Sequence, residues 1–309
     1  MLIGGYKGQT AWMTAGSGSA RWCVAERDGQ RFFIKQFLTP VQPSPTAARN
    51  ETLYRKQLAR CMAFERKKRT LYASLRCVIG DCVTPITDFF SFENRYYAVS
   101  EYIPTPFDTL ETLGKVSARA ARELLYALAL CLGRLHAQGI VHADLKPEHI
   151  LILREGDALR VRLIDFDSGF LEDDPPLQAR EIEGDPVFLA PETYRCMAGE
   201  SGTLNRRLDT FAFGAIAHLL LAGAMPDVQS VGHTYLYEAA LADTVIPIST
   251  ALPAVYHWLI RKALAKDPAD RPDDAMLERL LATPKDAQHA PTAVETPMKS
   301  FFKVDGWRL

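Results

Sequence analysis

The sequence predicts an α+β protein in two unequal parts, a β-rich N-terminal part with one main helix and a larger, mostly helical part. Three observations carry this. Short apolar runs crowd the first third, and two of them flank Asp28-Gly29, a strong hairpin signal. Pro104 and Pro106 then punctuate the chain as a hinge or linker. Beyond them apolar residues recur at helical spacing, from Ser117 as a helix N-cap to Gly139 as its stop.

In order, Trp22–Glu26 and Arg31–Phe37 read as the hairpin strands. Pro40, Pro43 and Pro45 demand a loop. From Thr46 to Leu75 the pattern is helical, with Leu53, Leu58, Met62, Leu71 and Leu75 set among Arg and Lys. Val83–Phe92 and Arg95–Tyr102 read as strands, Ser117–Gln138 as a helix, Ile150–Leu153 and Arg160–Ile164 as strands. An irregular acidic segment runs to Pro191, and helices dominate to Ala282. The division expected is 1–103, 104–282 and a tail 283–309.

Composition excludes several classes. With 48% hydrophobic and 24% charged residues among 309, the chain can bury a core and is not a disordered polymer. Thirty-six Lys and Arg against 37 Asp and Glu argue against bulk nucleic-acid binding. The six cysteines form no CxxC pair, so a zinc cluster is not expected. The N-terminus lacks the apolar run of a signal peptide. The longest apolar stretch, Phe211–Met225, is broken by His218 and falls short of the roughly 20 residues that span a bilayer. The expectation is a cytoplasmic protein with reduced thiols, no nucleic-acid partner and no membrane partner.

The densest chemistry lies in Val141-His142-Ala143-Asp144-Leu145-Lys146-Pro147-Glu148-His149, followed after a strand-turn-strand interval by Leu163-Ile164-Asp165-Phe166-Asp167. Two carboxylates on adjacent strand ends can serve one reaction. One orients a hydroxyl and accepts its proton, and the other holds a divalent ion on phosphates. HADLKPEH resembles the catalytic loop of eukaryotic-type Ser/Thr protein kinases, and IDFD resembles their metal motif. Phe33-Ile34-Lys35, Gly16-Ser17-Gly18, Ala190-Pro191-Glu192, Asp209 and Arg271 resemble further family motifs, in family order, across about residues 5–282.

The resemblance implies a bilobal kinase fold and a role for each residue. Asp144 is the base and hydroxyl-orienting group, and Lys146 touches the γ-phosphate. Asp165 binds Mg²⁺. Gly16 and Gly18 cover the phosphates of ATP, Lys35 holds them, and Glu101 and Ile103 offer backbone groups to adenine. Ser100 is then a small residue at the back of the pocket. Either Glu51, 16 residues after Lys35, or Glu65, 30 residues after it, would fix the lysine; Glu65 is favoured because its helix leads into the next strand at a sensible distance.

Departures from the family pattern are informative. His149 stands at the asparagine of the second metal site, and Asp167 at a glycine. Imidazole is a soft ligand for Mg²⁺, so either the site is weak, or it favours Mn²⁺, or Asp167 supplies the oxygen. Otherwise Asp167 faces solvent. Arg21 stands at the third glycine of the phosphate loop, facing solvent or touching phosphate. Ala143 replaces the arginine that reads activation-segment phosphate, and Ser168 is the lone Ser, Thr or Tyr from Asp165 to Glu192. Activity is therefore expected without activation-loop phosphorylation. Residues 172–185 carry six acids against one base, with Asp185 at a family threonine, which suits a basic protein substrate or is a solvated loop. Arg49–Arg76 carries nine bases against two acids.

The expected function is ATP-dependent transfer to protein Ser or Thr, with Thr292, Thr296 and Ser300 as autophosphorylation candidates. The rivals are a nucleotide-binding pseudokinase scaffold and a small-molecule phosphotransferase. The segment from TAGSGSARW to FERKK is similar to kinases of tellurite-resistance-associated triads, whose partners are a phosphatase and a von Willebrand-type protein.

Overall fold

The computed structural model describes residues 1–14, 20–44, 51–78, 80–103, 108–110, 116–155 and 158–282. Gly16, Gly18, Pro104, Pro106 and the tail candidates Thr292, Thr296 and Ser300 lie outside the described residues. The chain forms two compact units, one from Met1–Cys77 and Thr84–Pro104, the other from Val78–Val83 and the chain from Thr105 onward.

The first unit is a twisted antiparallel sheet with one helix. Its elements are β1 (Leu2–Ile3), β2 (Tyr6–Gly8), β3 (Met13–Thr14), β4 (Ala20–Arg27), β5 (Gln30–Phe37), α1 (Glu51–Leu75), β6 (Ile86–Phe92) and β7 (Arg95–Glu101). The strand order is β1-β2-β4-β5-β7-β6, with β3 also paired to β4. The expected hairpin joins β4 to β5, with Arg27 opposite Gln30. Asp28 and Gly29 adopt φ +53° and +76°, the two positive values that a tight two-residue turn requires.

Period-two alternation sends Phe32 and Ile34 into a core with Ile3, Tyr6, Cys23, Ala25, Tyr97 and Val99. Lys35 and Phe37 lie on the other face, which α1 covers. There Phe64 of α1 meets Phe37 and Tyr96, with ring centroids 5.2 Å apart in each pair. Tyr72 meets Phe89 at 5.4 Å.

The second unit comprises β8 (Asp108–Thr109), α2 (Ala118–Ala137), β9 (Ile140–Val141), β10 (Ile150–Glu155), β11 (Ala158–Leu163), β12 (Phe170–Leu171), α3 (Pro191–Met197), α4 (Arg207–Ala222), α5 (Leu236–Leu241), α6 (Ala254–Ala263) and α7 (Asp274–Leu281). Ser117 caps α2 by accepting from the Ala120 N–H, and Gly139 ends it at φ +68°. The α2 face of Leu124, Leu125, Leu128, Leu132 and Leu135 is wholly buried. The apolar stretch from Phe211 is the buried body of α4, and among the described residues no helix is long and apolar enough to cross a membrane. Val78–Val83 joins this unit through the Leu163 N–H, which donates to the Cys82 carbonyl at 2.7 Å. All six cysteines are free, and four are buried as core fillers.

Candidate active site

The loop after β9 carries the candidate residues, and two short sheets pin both of its ends. β12 pairs with β9, and β10 pairs with β11, so Asp144 and Asp165 emerge from neighbouring strand ends. Both turns are strained. Ala143 has φ +66° and Asp165 φ +62°, a left-handed conformation costing an L-residue about 1–2 kcal/mol.

Asp209 holds the first turn. It is fully buried at the start of α4, and its carboxylate accepts from the N–H groups of His142 and Ala143 at 2.8 and 2.9 Å. His136 Nε2 lies 3.0 Å from the same carboxylate. His142 is also buried, which pushes its pKa down, and its Nε2 donates to the Ile164 carbonyl at 3.1 Å. Its ring lies 4.8 Å from that of Phe166, so it binds the loop to the Asp165 turn as a packing group.

Asp144, Lys146 and Asp185 form one cluster. Lys146 Nζ is 3.5 Å from a carboxylate oxygen of each aspartate. The Asp185 N–H donates to Asp144 Oδ1 at 3.0 Å, and Asp185 Oδ1 accepts from the Val187 N–H. Burial would lower the Lys146 pKa, but Asp144 and Asp185 raise it, so the ammonium stays charged. Asp144 therefore has a fixed orientation and a cation beside it, as a proton-accepting carboxylate near a phosphoryl group needs.

His149 Nδ1 is 2.8 Å from the Asp144 carbonyl, so in the neutral ring Nδ1 carries the proton and Nε2 a lone pair. Nε2 faces Asp165 Oδ2 at 3.6 Å. Two donors thus converge, and the Asp167 N–H is 3.4 Å from Asp165 Oδ1. Among the described residues no group of three or more His, Cys, Asp or Glu forms a self-sufficient metal cage. A divalent ion held by His149 and Asp165 would need further oxygen ligands, such as phosphate oxygens.

In the N-terminal unit Lys35 is buried on β5, opposite Trp22 and Ala98. Glu65 lies on the α1 face that carries Cys61, Lys68 and Tyr72, and it pairs with Arg69 one helical turn on at 2.8 Å. Glu51 is exposed and pairs with Arg55. Ser100 is buried in β7, Glu101 ends that strand and Ile103 follows half-buried. Arg21 is half-buried beside β3. It lies over the Trp12 ring at 4.8 Å and donates to Gln36, because β3 brings Trp12 beside β4.

The acidic segment is built into the fold at its start. Glu172 accepts from Arg206 Nε at 2.9 Å, and its own N–H donates to the Gly139 carbonyl. Glu192 and Arg271 form a buried two-point ion pair at 2.6 and 2.7 Å. Sequence reasoning missed His136 and Asp274, which lie 2.9 Å apart. The available signal was a histidine closing the leucine face of α2.

Comparison with known proteins places the chain in a family. The family model described as protein kinase domain matches residues 17–284. The Ser/Thr-protein kinase pkn2 of Myxococcus xanthus is 29% identical over 76% of this chain and 28% of the relative. The Ser/Thr-protein kinase GRIK2 of Arabidopsis thaliana is 29% identical over 83% of this chain and 60% of its own length. The chain thus spans between about a quarter and three fifths of these curated relatives. The solved kinase domain of Mycobacterium tuberculosis PknI shares the fold with a TM-score of 0.57 at 18% identity, covering 91% of this chain and 98% of that one.

Proposed function

This chain belongs to the protein kinase domain family, and from that premise we propose that it transfers the γ-phosphoryl group of ATP to serine or threonine hydroxyls of a protein. The observation that carries the reading is the cluster in which Lys146 lies 3.5 Å from Asp144 and from Asp185. Asp144 orients the acceptor hydroxyl and takes its proton as the O–P bond forms. Lys146 neutralises charge on the transferring group, and ADP leaves. Asp165 and His149, with Asp167 beside them, would hold the divalent ion, which supplies charge neutralisation on the phosphates when bound. Lys35 is assigned the α- and β-phosphates, Gly16 and Gly18 their cover, Glu65 the support of Lys35, and Glu101 and Ile103 the adenine.

Activity without activation-loop phosphorylation is part of the reading. The support is that Ala143 offers no cation to a phosphate, while Glu172–Arg206 and Asp185–Lys146 tether the segment already. Ser168→Ala is expected to keep wild-type turnover. A basic protein substrate, and a cognate phosphatase or von Willebrand-type partner, belong to the same proposal.

The test is radiolabelled ATP with the wild type and Asp144→Ala, in Mg²⁺ and in Mn²⁺, with a generic basic protein. Label on the protein substrate or the kinase itself, lost in Asp144→Ala, supports the reading. Nucleotide binding without transfer in either metal would replace it with a pseudokinase scaffold. The substitutions His149 for asparagine and Asp167 for glycine are what make that outcome worth testing.

A further inference from the structure

Asp209 is a fully buried carboxylate. Its two bonds to the N–H groups of His142 and Ala143 leave most of that charge unbalanced. The balance comes from the side away from the loop. His136 Nε2 is 3.0 Å from Asp209 Oδ2, and His136 Nδ1 is 2.9 Å from Asp274 Oδ1 on α7. Both partners are carboxylates, which only accept, so the ring donates from both nitrogens and is the cation. Burial alone would strip its proton, but the bonds and charges of Asp209 and Asp274 outweigh burial and push His136 to about 9. Glu172, after β12, also faces His136, and Arg206 and Glu278 face Asp274.

We propose that Asp274 is a positioning residue for the phosphoryl-transfer loop: it keeps His136 charged and doubly bonded, and so secures the Asp209 carboxylate that holds the backbone beside Asp144. The claim rests on the reading of Asp144 as the reacting carboxylate. Asp274 touches no reacting atom and acts through His136 and Asp209. With Asp274 neutral, one carboxylate is left to hold the His136 proton against burial. The proton then leaves nearer neutral pH, Asp209 becomes an unbalanced buried anion, and the loop loosens above that pH.

The experiment compares the 309-residue wild type, Asp274→Asn and Asp274→Glu at about pH 6 and about pH 8.5. It reads amide hydrogen exchange at His142 and Ala143, the NMR titration of His136, and kinase turnover. Thermal melting confirms that each variant is folded, and Asp274→Glu serves if Asp274→Asn is not. Relative to wild type at the same pH, Asp274→Asn should lose protection at both amides about tenfold more at the higher pH, the worth of one unit of His136 titration. Turnover should fall in parallel with little change in KM for ATP, and Asp274→Glu should restore both. Equal protection ratios at the two pH values, or an unmoved His136 titration, would overturn the proposal. Absence of turnover in wild type would sink the kinase reading alone, because the exchange and titration still decide the anchor. Normal turnover with unresponsive amides would sink the anchor alone.

Discussion

Ala143 and Asp165 hold positive φ without being glycine, and the reason lies in what their neighbours bind. Asp209 captures the two successive N–H groups of His142 and Ala143 that lead into the turn, which offsets the conformational cost at Ala143. Asp209→Ala leaves those N–H groups without an acceptor and His136 short of a partner. It is expected to cost about 3–5 kcal/mol in chemical denaturation and most of the turnover. His149→Asn exchanges a nitrogen donor for an oxygen donor, so Mn²⁺ should lose ground to Mg²⁺. Mn²⁺ resonance titration with ATP checks this, and an unchanged ratio of the two affinities would count against His149 as a ligand. At this scale Asp144, Lys146, His149, Asp165 and Asp167 were legible, because their chemistry is written in local spacing. Their partners were not. Asp185 was visible as an acid at a family threonine but not as a partner, because its bond to Asp144 crosses 41 residues.

Among the elements, α3, α4 and α6 depend on close contacts that sequence patterns only hint at. The buried Glu192–Arg271 pair ties α3 to the turn before α7, and Arg271 also donates to the carbonyls of Ala265, Lys266 and Arg207. Arg271→Ala strands a buried carboxylate and three carbonyls, with an expected loss of about 3–5 kcal/mol in a denaturant melt. Gly214 lets α4 approach α6. A Cβ there would stand 2.7 Å from the Ala263 Cβ at the end of α6 and 3.2 Å from the Cγ of Leu264, the buried residue that follows it. Gly214→Ala should destabilise by about 1–3 kcal/mol, against the usual gain of alanine in a helix. A neutral or stabilising result would mean that α6 shifts freely. The hairpin of β4 and β5 and the α2 cap were legible because turn and cap chemistry is local. The short β8, β9 and β12 were not, since two-residue strands carry no period and exist only through their partners.

For the molecule as a whole, pH dependence follows from the buried charges. His136 is raised from 6.5 to about 9, so its contribution to stability is complete below 6.5 and disappears as pH rises through about 9. Glu172 is lowered, chiefly by its hydrogen bonds from Arg206, so its contribution is present above its ordinary 4.5 and disappears as pH falls below that. Thermal melts should therefore decline on both flanks, and His136→Gln should flatten the alkaline one. A wild-type melt constant from pH 6.5 to 9 would contradict the charged His136. The sequence by itself determined the α+β class, the order of the longer elements and the family motifs, because hydrophobic period, turn residues and motif spacing act over a few neighbours. Tertiary structure alone decided which charges meet. Glu172 binds Arg206, Asp185 shares Lys146 with Asp144, and Asp274 reaches His136 across 138 residues. Such pairs are set by where packed helices and strand ends bring buried charges together. Burial makes an unpaired charge costly, and no local pattern records which partner removes that cost.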